Sequence, residues 1–252
     1  MKKFTIIIFT FLLVASCKND DGGSSEPTFG NITLDFKNTI DNNGIELTTD
    51  IYTNGSGEIY KISELKYIIS NVVLIKANGE EFKYPVDEGY FLINEEVVDS
   101  KNISLADIPS GEYTKIKFGI GVDQSKYPLN GMANFIPTAE ESGMLWSWSA
   151  GYKFIKFEGT FGTSDSPFLI HVGSHGTALD NYKEVTLDLP STLTISASKS
   201  QEVAVNADIA KIFDSTNTHS LVTKSDVQVD PVLAPQIAEN ISTMFSVTSV
   251  TN

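Results

Sequence analysis

The sequence contains very little cysteine and none of the common catalytic motifs, and these absences exclude several classes of protein. Cys17 is the single cysteine, so no intrachain disulfide can form. The chain has no Gly-x-Ser-x-Gly elbow, no phosphate-binding glycine loop and no His-Glu-x-x-His zinc motif. No recognisable catalytic set is present, and the sequence therefore predicts a protein that is not an enzyme.

Basic residues are also scarce, with 18 lysines and arginines against 32 aspartates and glutamates. The formal net charge is −14, and removing Lys2 and Lys3 with an N-terminal leader makes it −16. A negative surface repels phosphate backbones, so nucleic acid is excluded as a partner. The same charge keeps the protein soluble and attracts cations.

Long hydrophobic runs are limited to the N-terminus, where an apolar segment over residues 4–14 follows Lys2 and Lys3. This run is too short for a stable membrane span, and residues 1–16 predict a secretory signal peptide. The sequence Val14-Ala15-Ser16-Cys17 resembles the bacterial lipobox. We therefore expect Cys17 to carry a lipid and to be the first residue of the mature protein.

Residues 17–29 are polar and rich in glycine, which predicts a lipidated, flexible tether. Its acidic pair, Asp20-Asp21, is similar to the export tethers of Bacteroidetes surface lipoproteins. This similarity indicates a cell-envelope lipoprotein in the outer membrane, and both leaflets stay open as its location. No second linker interrupts residues 30–252, which predict a single domain.

Hydrophobic residues alternate with polar ones in many short segments separated by turn residues, a pattern typical of β-strands. The predicted strands cover residues 31–36, 46–52, 63–75, 90–93, 103–105, 113–122, 152–157, 168–172, 184–189, 193–197 and 203–207. Helices are predicted only at 209–213, with Asn206 or Asp208 as the cap, and at 235–244. The fold class is therefore all-β, a β-sandwich with long loops and one or two short helices.

Both tryptophans lie in one segment, residues 143–159, which predicts a strand bounded by Gly151 and Gly159. Trp146 and Trp148 are two residues apart, so extended backbone places both rings on one face, where they form an aromatic platform with Tyr152. Such a platform either packs in a core or serves a binding site. Residues 123–143 form a predicted loop that leads into it, and we expect Trp146 to be buried or half-buried beside Tyr152, with its face reachable from that loop.

The chain has three histidines, His171, His175 and His219. His171 and His175 are four apart, but the residues between them follow a strand, so the spacing is not that of a helical zinc motif. A lone histidine on a strand is either a satisfied core residue or a ligand. Both interpretations of His171 stay open on the residues alone.

Four separated segments resemble a known family in the right order along the chain. The first is Gly-Met-x-Trp-x-Trp-x-x-Gly-Tyr-x-Phe-x-Lys-x-Glu-Gly, which starts at Gly143 and is followed by residues 168–174. The others are residues 60–71, 108–113 and 118–123. Together they are similar to the MbnP-like family of copper-binding proteins, over most of the chain from about Thr33 onwards.

The resemblance implies a copper site and a protein modification. In copper-binding members of the family, imidazoles hold the metal together with a kynurenine, which a dihaem cytochrome c peroxidase-like partner makes by oxidising a tryptophan. Trp146 matches the oxidised position, and the resemblance makes His171 a copper ligand. Copper is thus the implied cofactor, and the implied role is copper handling without turnover.

One departure from the family pattern concerns Trp148. In the best-known copper sites a histidine ligand lies two residues after the oxidised tryptophan, and this chain has Trp148 there. His175, Met144 or Met132 would then have to supply the missing donor, since copper needs two or three nitrogen or sulfur ligands.

A second interpretation uses the same residues without a metal. In it the chain is a surface binding module, and Trp146, Trp148 and Tyr152 form a platform for a glycan or a protein ligand. The two interpretations differ in whether Trp146 is oxidised and whether His171 binds copper.

Overall fold

The computed structural model describes residues 28–123, 125, 135–146, 151–174, 179–197 and 199–252. Its strands are β1 (Phe29–Ile40), β2 (Asn43–Gly44), β3 (Tyr52–Thr53), β4 (Ile59–Lys76), β5 (Glu81–Lys83), β6 (Tyr90–Asn94), β7 (Asn102–Pro109), β8 (Gly111–Ile120), β9 (Lys153–Phe161), β10 (Ser166–Gly173), β11 (Lys183–Ile195), β12 (Ser200–Asp208), β13 (Asp226–Val227) and β14 (Phe245–Thr251). The α-helices of this part of the chain are α1 (Ile136–Glu141) and α2 (Leu233–Ser242). Short 3-10 turns cover Val86–Glu88, Val98–Lys101 and Ile209–Ile212.

The described strands form two sheets. The smaller sheet has the order β14-β12-β1-β2, with β7 also paired to β1, and β1 and β12 run parallel. The larger sheet has the order β11-β8-β4-β9-β10-β13, with β3, β5 and β6 also paired to β4. Because β4 is 18 residues long and pairs with both β8 and β9, it is the central strand of the larger sheet.

Alternation along the strands builds the core between the two sheets. In β1, Ile32, Leu34 and Phe36 are buried, and the residues between them are more exposed. They pack in the same cluster as Leu65 of β4 and Phe157 of β9. The prediction of an all-β sandwich is confirmed.

Two strand predictions are wrong in detail. Residues 46–51 are not part of a strand, and only Tyr52 belongs to one, β3: Thr48 has a φ of +67°, and residues 47–49 form a turn. The amide of Thr48 donates to the carbonyl of Ile62 at 2.7 Å, so the segment folds back onto the start of β4. The strands predicted at 184–189 and 193–197 are one strand, β11, with an irregular register between Asp188 and Leu193.

The helix prediction at 235–244 is confirmed as α2. At 209–213 the chain forms a 3-10 turn, Ile209–Ile212, and the predicted cap is wrong, because Asp208 makes no side-chain capping bond. Asn206 accepts a hydrogen bond from the Thr39 hydroxyl at 2.9 Å. The predicted loop at 123–143 contains α1 in its described part. None of the helices in the described residues has the length and hydrophobicity needed to cross a membrane.

The larger sheet has an inner face, which meets the smaller sheet, and an outer face. The outer face carries a second apolar cluster, the outer cluster, under the segment that contains α1. Its members are Ile68, Tyr90, Val122, Phe135, Ala139, Met144, Tyr152 and Phe154. The segment that contains α1 therefore covers part of the outer face. The predicted site residues Met144 and Tyr152 belong to the cluster beneath it.

Candidate functional site

His171 lies on the outer face of β10. Its neighbours Ile170 and Val172 belong to the inner core, so alternation turns the His171 side chain to the opposite face. The residue is only 6% exposed. Its Nε2 atom lies 2.7 Å from Oε1 of Glu158, which is on the adjacent strand β9.

The two ring nitrogens of His171 have different surroundings. An ionised carboxylate only accepts hydrogen bonds, so the Nε2–H of a neutral imidazole donates to Glu158 and the Nδ1 atom keeps its lone pair. Nδ1 is buried and has no hydrogen-bond partner among the described residues. The hydrogen bond with His171 lowers the pKa of the Glu158 carboxyl, and the charge of Lys156 adds to this effect against partial burial.

Glu158 belongs to a row of charged residues on β4 and β9, which we call the charged strip: Glu64, Lys66, Lys156 and Glu158. The Lys156 ammonium lies 3.3 Å from Glu158 Oε1 and 2.6 Å from Glu64 Oε2. Lys66 Nζ lies 2.5 Å from Glu64 Oε1. Although partial burial opposes it, hydrogen bonds from Lys156 and Lys66 lower the pKa of the Glu64 carboxyl. The signs of the charges therefore alternate along the strip, from Lys66 through Glu64 and Lys156 to Glu158.

Lysines also fix the segment that leads from α1 to Trp146. Lys153 Nζ donates to the carbonyl oxygen of Gly143 at 2.8 Å, and the Lys153 amide donates to the carbonyl of Met144 at 2.7 Å. Burial lowers the pKa of Lys153, and the charge of Lys156 lowers it further. A bridge between Leu145 and Tyr152 continues this pairing. These contacts hold the segment between α1 and Trp146 against the outer face of the larger sheet, beside the charged strip.

Trp146 is 6% exposed and packs against the end of β10. A Cβ atom at Gly173 would lie 2.6 Å from Cη2 of the Trp146 ring and 2.3 Å from the carbonyl oxygen of Tyr152. Only glycine leaves room for this approach. Gly173 is two residues after His171 on β10, so alternation along the strand places the ring contact and the imidazole on the same face of the sheet.

Met144 and Tyr152 are buried members of the outer cluster, at 0% and 3% exposure. The Tyr152 ring lies 5.9 Å from that of Phe135, which lies 5.9 Å from Tyr90. Burial raises the pKa of Tyr152 to about 12, so its hydroxyl stays protonated at neutral pH. Trp146 is buried, and its neighbour Leu145 forms a β-bridge with Tyr152, which agrees with the expected burial beside Tyr152. The expected access to Trp146 from the loop over residues 123–143 stays a prediction.

The other predicted site residues are placed as follows. His175, Trp148, Met132 and Cys17 lie outside the described residues. Trp146 and Tyr152 are buried, and the surface-platform interpretation stays a prediction because Trp148 is not described.

His219 has a separate structural role. Its Nε2 contacts the carbonyl oxygen of Lys224 at 2.8 Å, and its ring stacks on Phe213 of the inner core. Burial lowers the pKa of His219, which keeps the imidazole neutral.

Sequence reasoning assigned no role to Glu158 and Lys156, although both belong to the motif that starts at Gly143. Their spacing places both on the polar face of a strand whose other face carries Phe157. In the described part of the chain no group of three or more histidine, cysteine, aspartate or glutamate residues has an arrangement that could hold a metal ion. The described residues therefore supply one unpartnered imidazole nitrogen and no complete set of ligands of those types.

Three comparisons with known proteins bear on this site. A family model described as MbnP matches residues 29–231. Among solved structures, MbnP from Methylosinus trichosporium is similar to this chain with a TM-score of 0.54 and 14% identity, over 89% of this chain and 99% of the other. At that identity the likeness shows the fold alone. No curated protein matches the sequence.

Proposed function

Because the chain belongs to the MbnP family, which the match over residues 29–231 shows, we propose that it binds and handles copper without catalysing turnover. The observation that carries this proposal is the His171 imidazole, which is 6% exposed and whose buried Nδ1 atom has no hydrogen-bond partner in the described part of the chain. A buried polar atom normally has a hydrogen-bond partner, so an orphaned one points to a missing ligand.

The donor chemistry fits copper. Neutral imidazole nitrogen is a common copper ligand, and metal-bound histidines usually donate their other N–H to a carboxylate, as His171 does to Glu158. The thioether of Met144 is a soft donor on the same covered face. His175 is a further candidate donor from outside the described residues. Bound copper would be stored or passed on at this site.

The second part of the proposal is the oxidation of Trp146 to kynurenine by a dihaem cytochrome c peroxidase-like partner. Two molecules of hydrogen peroxide would supply two oxygen atoms and leave as two waters, while the C2–C3 bond of the indole breaks to give N-formylkynurenine. Hydrolysis then releases formate and leaves an aniline-type nitrogen as a new donor. Trp146 packs over Gly173, which supports its matching to the modified position.

The third part of the proposal concerns the location of the protein in the cell. We propose that a lipid on Cys17 anchors the chain in the cell envelope, in the outer membrane, with residues 17–29 as the tether. Replacing Cys17 by Ala should then move the protein from the membrane fraction to the soluble fraction. An unchanged distribution between the fractions would contradict the anchor.

Copper titration tests the central proposal. We expect His171→Ala to weaken copper binding at least tenfold relative to wild type, because it removes a ligand nitrogen. His219→Ala is the matched control, since it removes a buried imidazole away from the site and should leave copper affinity unchanged. Both series are repeated on protein co-expressed with a dihaem partner, and the intact mass reports the conversion of Trp146. Equal, weak binding in all samples would overturn the copper function.

A further inference from the structure

We infer that Glu158 is a positioning residue: it holds the proton of His171 on Nε2 and thereby assigns Nδ1 as the atom that binds the metal. This inference deepens the proposed function and rests on it for the identity of the metal. The position of the proton can be measured without any metal.

The first step of the argument is the contact itself. Glu158 Oε1 lies 2.7 Å from Nε2, the distance of a strong, charge-assisted hydrogen bond. The carboxylate has no proton to give, so the imidazole must place its proton on Nε2. If Nδ1 carried the proton as well, its N–H would be buried without an acceptor among the described residues, which is unfavourable.

The second step is what holds the Glu158 carboxylate in place. Lys156 contacts the same Oε1 atom at 3.3 Å and contacts Glu64 at 2.6 Å, and Glu64 is in turn held by Lys66. The charges alternate along the charged strip and cancel. The strip therefore fixes the acceptor without adding net charge beside the imidazole.

The third step concerns the ligand atom. Nδ1 is the ring nitrogen bonded to Cγ, so it lies nearer to the backbone of β10 than Nε2 does. Gly173, against which the Trp146 ring packs, is the next residue along that strand on the same face. The free lone pair is therefore on the ring nitrogen next to Cγ, on the opposite side of the ring from the contact with Glu158. A carboxylate on the opposite nitrogen makes the imidazole a better donor, and losing such a partner typically lowers metal affinity 10–100-fold.

The test uses nitrogen NMR of the metal-free mature protein labelled with ¹⁵N-histidine. The signals of His171 are assigned by their loss in His171→Gln. We expect a protonated Nε2 and a bare Nδ1 in wild type. In Glu158→Gln the amide both donates and accepts, so we expect a mixture of the two tautomers. Glu64→Gln is the matched control, because it changes the same charged strip without touching His171, and should keep the wild-type tautomer.

Copper titration of the same variants gives the second measurement. We expect Glu158→Gln to lose about 10–100-fold in copper affinity and Glu64→Gln to lose much less. A wild-type His171 with its proton on Nδ1 would overturn the inference, and so would an unchanged tautomer in Glu158→Gln. If wild type has the expected tautomer and binds no copper, the proposed function fails and the role of Glu158 in placing the proton stands.

Discussion

On β9 and β10, alternate side chains face either the inner core or the outer face of the larger sheet, and the two faces are stabilised differently. On the inner face Phe157 and Ile170 are fully buried among apolar residues. On the outer face, from the same strands, Glu158, Lys156 and His171 make a small number of polar contacts at defined distances. The inner face contributes stability through buried area, and the outer face holds a polar arrangement that buried area alone would not specify.

The largest effect should come from breaking the inner face. Phe157 is fully buried, and its ring centroid lies 5.3 Å from those of Phe168 and Phe213. We expect Phe157→Ala to lower the free energy of unfolding by about 3–5 kcal/mol, because it leaves a cavity. Thr160→Ala, on the same strand and the outer face, should cost no more than about 0.5 kcal/mol. Urea unfolding measures both, and equal costs would contradict the difference between the faces.

A smaller effect is expected at the junction of the outer face with Trp146. In Gly173→Ala the new Cβ would lie 2.6 Å from the Trp146 ring, so the ring or the Tyr152 backbone must move. We expect a loss of about 1–3 kcal/mol and a shift of tryptophan emission, measured in a Trp148→Phe background. Gly44→Ala is the control, because nothing lies within 4 Å of its added Cβ. An unchanged emission spectrum in Gly173→Ala would contradict the packing.

The smallest effect concerns two carboxylates on the same stretch of chain, Glu58 and Glu64. Partial burial opposes ionisation of Glu58, but hydrogen bonds from Asn54, Ser220 and the amides of Val222 and Leu221 lower its pKa to about 2. The folded-state pKa is below the ordinary value, so Glu58 stabilises the fold above pH 4.5 and this contribution is lost as the pH falls towards 2.

Glu58→Gln removes the titrating carboxyl. We therefore expect the free energy of unfolding to change less between about pH 4.5 and 2 in this variant than in wild type, as measured by thermal unfolding at a series of pH values. Added salt should weaken the Glu64 contacts, which involve lysines, more than those of Glu58, which involve neutral donors. An identical pH profile in Glu58→Gln would contradict the role of Glu58.

The inner face could be predicted from the sequence because its signal is local. Alternation of apolar residues marks β1, β8 and β10, and turn residues separate them. The prediction failed at residues 46–51, where a similar pattern forms a turn through the positive φ of Thr48, a conformation that no residue type at that position signals. Family membership was also readable, because four motifs occur in order along the chain.

The outer face could be predicted only in part. The motif identified Trp146 and His171, but the contact between Glu158 and His171 depends on the register of β9 against β10, where His171 is paired with Lys156. Register is set by the whole sheet, including the bulge between Val172 and Gly173, and no local pattern encodes it. The sequence shows that Glu158 is a charged residue on a strand, but it does not show that Glu158 contacts His171.

The glycines of the tryptophan motif have a practical consequence for sorting related sequences. Gly151 has a φ of +103°, and a Cβ at Gly159 would lie 1.9 Å from the carbonyl oxygen of Lys61. Any chain with this fold needs glycine at these two positions, whether or not it binds copper. A search that scores those glycines therefore groups sequences by architecture. A search that also requires a carboxylate at position 158 and a histidine at position 171 would select the chains that carry the proposed copper site.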